Sequence, residues 1–361
     1  MVFPIGDAPN PRGIPVATYL LIAANVAVFV LVTMPLSGAP ADPSDPLFRE
    51  YAAAVERSVD DPAEVREFLR HATAYDLFVL THGFRPAAPE LPALFTSLFL
   101  HANFLHLFGN MLFLWIYGDN VEHRMGGGRY LLAYLLTGIA ATLTHYLTAP
   151  DSPLPTIGAS GAISGVLGLY FVWFPQNKVR LLWLLPPIFM NVFMVPARIV
   201  LGFYLILDNV VPFLIIGGRG GGVAHGAHIG GFVAGVIAAW LHDRLLVRRG
   251  EQEVATHPGE DPLALADQLR DDGRSDEALA VLERLVRSLP RGPEAAEAHV
   301  RAGTILLDDL HHPTSAYQHF AAALEMNPDP RTAALAEQGI AAIESVQKYR
   351  VGRPRTRRGT W

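Results

Sequence analysis

With 361 residues, 51% of them hydrophobic and only 17% charged, and a mean hydropathy of +0.26, the chain is too apolar for an ordinary soluble protein, and a membrane is its expected solvent. A net charge of −6 leaves no electrostatic footprint for a nucleic-acid partner, and the one basic cluster, Arg350 to Arg358, is short and terminal. The absence of cysteine excludes a disulfide framework, thiolate metal sites and a cysteine nucleophile.

After a polar segment over residues 1–13, residues 14–36 are almost continuously apolar and uncharged, long enough to cross a hydrocarbon core of roughly 30 Å. Ala39-Pro40-Ala41 loosely resembles a signal cleavage site. The apolar region is too long for a signal peptide, however, and Arg12 is the one basic residue ahead of it, so a retained span is expected. Residues 37–93 form a polar first loop rich in Pro, Asp, Glu and Arg, with short surface helices such as Ala63 to His71. Apolar runs then recur over 94–117, 130–149, 157–174, 195–216 and 223–241, which makes six expected spans. The run Leu181 to Met194 is broken by Pro186, Pro187 and Asn191 and reads as a re-entrant or interfacial segment.

With the N-terminus cytoplasmic, the short inside segments hold Arg12, Arg124, Arg129, Lys178, Arg180, Arg198, Arg244, Arg248 and Arg249, whereas the short outside loops hold Arg219 alone. That asymmetry follows the positive-inside rule. It puts Ser160 toward the outer leaflet of a cell membrane and everything after residue 242 in the cytoplasm. After a linker over 243–260, helical runs are expected at 262–271, 275–288, 293–310, 314–326 and 331–348, before a basic tail over 350–361. Residues 261–349 also repeat at about 38 residues: Ala264 aligns with Ala302, Leu269 with Leu307, Ala278 with Ala316, Leu282 with Phe320 and Pro290 with Pro328. This resembles tetratricopeptide hairpins, somewhat longer than usual. The fold expected is all-α: a six-span helix bundle over 14–242, then a small soluble helical-hairpin domain that either binds a peptide or protein ligand or is purely structural.

Chemistry concentrates in the spans, where polar groups are costly and functional by default. Gly158-Ala159-Ser160-Gly161 heads the fourth span, and Gly161, Gly165 and Gly168 make a small-residue stripe of the kind that lets helix backbones approach in lipid. Ala224, Ala227, His228, Gly231 and Gly235 make a second stripe on the sixth span. Joining the two smooth faces would bring Ser160 to His228, a hydroxyl nucleophile to a neutral imidazole base. No carboxylate stands near either residue; Asp208 lies in the fifth span and has no evident route to His228. A Ser-His dyad is therefore expected, its tautomer set by packing or by an uncharged partner. His106 and Asn110, four residues apart on one helical face, can both donate hydrogen bonds to an oxyanion. His225 either joins the active-site network or caps its helix, and His145 is expected to be a buried hydrogen-bonding histidine.

These residues fall into His101-Ala-Asn-Phe-Leu-His106-Leu-Phe-Gly-Asn110, Gly118-Asp-Asn-Val-Glu122-His-Arg-Met-Gly126, Gly158-Ala-Ser160-Gly161 and Ala227-His228-Ile-Gly-Gly231. In that order they resemble the motif set of rhomboid intramembrane serine proteases over residues 94–242. The resemblance implies Ser160 as nucleophile, His228 as base, and His106 and Asn110 as oxyanion donors assisted by the Ser160 backbone N–H. It implies that Glu122 holds the loop after the second span, that membrane-protein substrates enter sideways from lipid and are cut near helix-breaking residues, and that no metal or cofactor is needed. The Trp-Arg pair of many members is missing from the first loop, where Pro92-Ala93 stands instead. Two rival classes are a metal carrier using His101, His106, His145, His225 and His228, and a catalytically silent rhomboid relative that binds membrane clients.

Overall fold

The structure is a computed structural model that describes residues 2–11, 13–185, 189–216 and 223–350. Arg12, Pro186, Pro187, Arg219 and the basic cluster beyond Arg350 lie outside the described residues. The chain is mostly helical, and it divides into two compact units.

The first unit comprises Pro15–Val172 and Arg198–Ala238. It opens with α1 (Val16–Val28), which runs through a π-helical turn at Phe29–Thr33 into α2 (Met34–Ser37). The first loop folds into α3 (Pro46–Ser58), α4 (Pro62–Arg70) and α5 (Ala74–His82). Each begins where the sequence supplies a cap: Asp45 and Asp61 accept first-turn N–H groups ahead of a proline, and Thr73 with Asp76 forms a reciprocal capping box.

The expected second span is not one straight helix. α6 (Ala93–Thr96) and a short 3₁₀ turn, Ser97–Phe99, meet α7 (Phe104–Met125) at 94°. The break is local chemistry: the Asn103 side chain accepts the His106 backbone N–H and so starts a new helix. Gly126, at φ 80°, then ends α7 and leads directly into α8 (Gly127–Thr148). On α8, Leu132, Leu136, Leu143 and Leu147 remain exposed, a stripe suited to lipid.

α9 (Ser160–Trp173) is only 14 residues long. It is apolar all round, and residues 161–170 are all buried, the signature of a central helix. α10 (Ala197–Leu205) continues through a second π turn, Ile206–Val210, into α11 (Val211–Ile216). α12 (His225–Thr256) runs on well past residue 241, so most of the expected linker is helix. Among the described residues four helices are long and apolar enough to cross a membrane, five if the bent pair counts as one span, with α9 a shorter apolar helix.

The second unit draws on residues within 1–14, 173–197 and 239–361, and it departs from the all-α expectation. The N-terminal segment is a strand, β1 (Val2–Ala8), and the stretch expected to be re-entrant or interfacial forms β2 (Lys178–Leu185) and β3 (Phe189–Pro196). They make an antiparallel sheet in the order β1-β2-β3, with Ala8 opposite Lys178 and Lys178 opposite Pro196. Two largely apolar runs of eight residues each, mostly Leu, Val, Phe, Met and Trp, satisfy their backbone by pairing with one another and with β1.

The helices that follow are α13 (Pro262–Asp271), α14 (Ser275–Ser288), α15 (Pro293–Asp308), α16 (Pro313–Glu325) and α17 (Pro330–Arg350), each packed on its successor. Their core holds Leu269, Ala278, Leu282, Ala302, Ala316 and Phe320, six of the residues aligned by the 38-residue repeat. The Phe320 ring is wedged against the bare backbones of Gly303 and Gly339. These helices are bonded to the sheet region rather than hanging free. Gln318 on α16 donates to Asn177 Oδ1 at 2.8 Å, Asn177 donates to Pro9 O at 3.2 Å, and Asp243 on α12 accepts from Trp173 Nε1 at 3.0 Å and pairs with Arg287 at 2.9 Å.

Candidate active site

The glycine stripes meet. A Cβ added to Gly231 or Gly235 of α12 would overlap the carbonyl oxygens of Gly161 and Gly165 on α9, and one added to Gly168 would overlap Phe232 O. Only backbones without side chains can lie this close, the packing by which helices associate in lipid. The Cβ positions of Gly161 and Gly165 themselves point at Ala141 and Thr137 of α8. The α9 glycines therefore serve two neighbours, α8 with their Cα edge and α12 with their carbonyls.

This contact brings Ser160, the first residue of α9, to His228, in the first turn of α12. His228 Nε2 lies 2.8 Å from Ser160 Oγ. The far ring nitrogen is engaged as well, because His228 Nδ1 lies 2.7 Å from Asn209 Oδ1. Sequence reading missed Asn209. It anticipated an uncharged partner but considered only Asp208, which is exposed, whereas Asn209 is 1% exposed.

His106 and Asn110 lie one turn apart on α7. Gly158 has φ +123°, and a Cβ there would sit 2.8 Å from His106 Nε2 and 3.7 Å from Ser160 Oγ. Glycine thus permits the backbone turn ahead of Ser160 and also leaves room for the imidazole beside the hydroxyl. Asn110 is 8% exposed and its Nδ2 has no hydrogen-bond partner among the described residues, so this donor is free to meet an acceptor supplied from outside the chain. The Ser160 backbone N–H belongs to the first turn of α9, where N–H groups lack intrahelical acceptors and the helix dipole favours negative charge.

The first loop is tied down without a Trp-Arg pair. Phe84 bridges Thr156, Gly158 N donates to Ser97 O at 2.8 Å, Thr96 Oγ1 donates to His82 O at 2.6 Å, and Arg85 pairs with Glu50 at 2.5 Å. His101 is buried with its ring centroid 5.0 Å from that of His106, and its backbone N–H and C=O both bond the Tyr75 hydroxyl.

Glu122 acts elsewhere than the resemblance implies. Its carboxylate accepts the backbone N–H groups of Ala17 and Thr18 and the Thr18 hydroxyl, each at 2.8 Å. It thereby caps α1, whose own N-cap residue, Pro15, offers no side-chain acceptor. His225 Nδ1 is buried with no hydrogen-bond partner among the described residues, and His145 is a buried residue of α8. Among the described residues no group of three His, Asp or Glu side chains is placed to hold a metal ion, and the metal-carrier reading draws no support from the site.

Residues 88–244 match the family model described as Rhomboid domain. The chain is 35% identical over 147 residues to Rhomboid protease GluP of Bacillus subtilis, covering 40% of this chain and 25% of that protein. It is 29% identical over 163 residues to Rhomboid protein 1, mitochondrial, of Saccharomyces cerevisiae, covering 44% of each. To Rhomboid-like protein 11, chloroplastic, of Arabidopsis thaliana it is 31% identical over 168 residues, covering 44% of this chain and 55% of the other. The chain thus spans from a quarter to about half the length of these relatives. The matched segment contains Ser160, His228, His106 and Asn110, and over it the chain carries a Rhomboid domain and is similar to rhomboid proteins.

Proposed function

We propose that this protein is an intramembrane serine endopeptidase that cleaves membrane-protein substrates through a Ser160–His228 acyl-enzyme mechanism. The observation that carries the reading is the 2.8 Å contact between Ser160 Oγ and His228 Nε2; Asn110 on α7 adds a buried amide donor that has no hydrogen-bond partner among the described residues. In the forward step Oγ bonds the scissile carbonyl carbon, the Oγ proton passes to Nε2, and the carbonyl π pair moves onto oxygen. Asn110 Nδ2, the His106 ring and the Ser160 N–H stabilise that oxyanion, each such donor contributing on the order of 3 kcal/mol in a water-poor site. Collapse breaks the C–N bond and Nε2 returns its proton to the leaving amine. Water then attacks the acyl-enzyme, giving a proton to Nε2, and Ser160 leaves with that proton restored.

The substrate enters laterally from lipid as a transmembrane helix and is cut near helix-breaking residues. The active site faces the outer leaflet of a cell membrane, with both termini cytoplasmic, as the basic-residue asymmetry favours. The helices from Pro262 onward act as a tetratricopeptide-like accessory domain. The test is cleavage of a single-span reporter by the full chain reconstituted in liposomes. Wild type should cut it, and Ser160→Ala and His228→Ala should not; equal cleavage by either variant would overturn the proposal.

A further inference from the structure

We infer that Asn209 is the positioning residue of this site, converting the dyad into a neutral Ser160–His228–Asn209 relay whose tautomer is fixed by a π turn in the fifth apolar helix. The inference rests on the serine-protease reading above and concerns what makes His228 a competent base.

Two hydrogen bonds determine the direction of the chain. Asn209 Nδ2 donates to the Tyr204 carbonyl at 2.8 Å, which commits the amide nitrogen as donor and leaves Oδ1 as the atom facing His228 Nδ1 at 2.7 Å. An amide oxygen only accepts, so Nδ1 carries the imidazole proton and the Nε2 lone pair faces Ser160 Oγ. The other tautomer would put two acceptors together at Nδ1 and a proton where the base is needed.

The π turn makes this possible. Over Ile206–Val210 the ladder slips by one residue, so that Val211 N donates to Ile206 O. This places Asn209, five residues after Tyr204, over the Tyr204 carbonyl, while Asp208 faces outward and is exposed. Such single-turn insertions recur at functional sites because they re-aim one side chain within a helix. Tyr204 is held in turn: its hydroxyl lies 2.7 Å from Ser164 Oγ, one turn along α9 from Ser160, and its ring centroid is 6.4 Å from that of His228. A neutral acceptor also avoids burying a carboxylate in an apolar bundle, where an unpaired charge is expensive. Among the described residues the other titratable neighbours of His228 are His225 on its own helix, His106 on α7 and Tyr204 on α10.

The full chain in liposomes, assayed with the single-span reporter across pH, tests the role. Asn209→Ala should lower kcat on the order of tenfold to a hundredfold, the scale of one lost orienting hydrogen bond, with KM within about twofold of wild type. Asn209→Asp should keep most of kcat and move the acid limb of kcat/KM to higher pH by about one unit, because a carboxylate favours the imidazolium. A packing role would leave that limb in place. Wild-type kcat in Asn209→Ala, or an unshifted limb in Asn209→Asp, overturns the inference; should the alanine variant fail to fold, the aspartate limb alone decides. Ser160→Ala run alongside separates the two levels. If it is inactive while Asn209→Ala is fully active, only the positioning role falls. If Ser160→Ala still cleaves, the protease reading itself falls.

Discussion

Gly231→Ala is a one-methyl perturbation aimed at the contact that assembles the site. The new Cβ would overlap the Gly161 carbonyl oxygen, whereas ordinary contacts begin at 3.4 Å, so α9 and α12 must part by roughly 1 Å. α12 has little slack on its other side, since Gly230 already abuts the Thr144 side chain and Gly226 would meet Thr148 Oγ1 at 2.7 Å. Gly161 adjoins Ser160 and Gly231 is three residues from His228, so the displacement carries the 2.8 Å hydrogen bond past its working length. Misplacement of that size costs about 10²-fold in rate, and overpacking a close helix contact costs about 1–3 kcal/mol in stability. Initial rates with the reconstituted reporter and thermal midpoints in detergent measure both effects. Gly202→Ala is the control: its Cβ would meet nothing within 4 Å, and it should leave activity unchanged and stability slightly improved. Wild-type turnover by Gly231→Ala would refute the claim that glycine packing sets the catalytic distance.

Asn110→Ala should slow turnover by tens- to hundreds-fold on the scale of one oxyanion donor, with an unchanged thermal midpoint; parallel losses of stability and rate would make it a packing residue. Glu122→Gln replaces one acceptor oxygen by a donor against Ala17 N, Thr18 N and Thr18 Oγ1. It should cost about 1–3 kcal/mol, visible in the midpoint, while kcat per folded molecule stays at wild type. Gly339→Ala intrudes on the Phe320 ring and should lower stability by about 1–3 kcal/mol without altering catalysis. Burial, with His319 alongside, holds His299 down at about 4 from its usual 6.5. The unfolded chain therefore binds the extra proton first: stability from this residue is full above pH 6.5 and is lost as pH falls toward 4, by about 3 kcal/mol at most. His299→Phe should flatten that limb in a pH series of melting curves.

The helices from Pro262 onward were legible because their starts are written in local chemistry, Asp261-Pro262 and Asp329-Pro330 among them. The approach of α9 and α12 was legible because only residues lacking side chains could line both faces. Asn209 was not, since a regular helix read from sequence has no π turn, and without the extra residue the Tyr204 face leads to Asp208. The sheet was missed for a different reason. An apolar run such as Leu181 to Met194 has no periodicity that separates strand from buried segment, and its partner β1 lies more than 170 residues earlier in the chain. The link from Glu122 to the N-terminus of α1 was not legible, because no pattern in sequence joins two residues 105 positions apart; the loop-anchor role was what the family resemblance implied.

Treating the purified full chain with a fluorophosphonate and mapping the adduct by mass spectrometry probes the nucleophile directly. The predicted result is a single phosphonylated serine, Ser160, in wild type, no adduct in Ser160→Ala, and strongly slowed labelling in His228→Ala. An adduct of undiminished yield in Ser160→Ala would contradict the account.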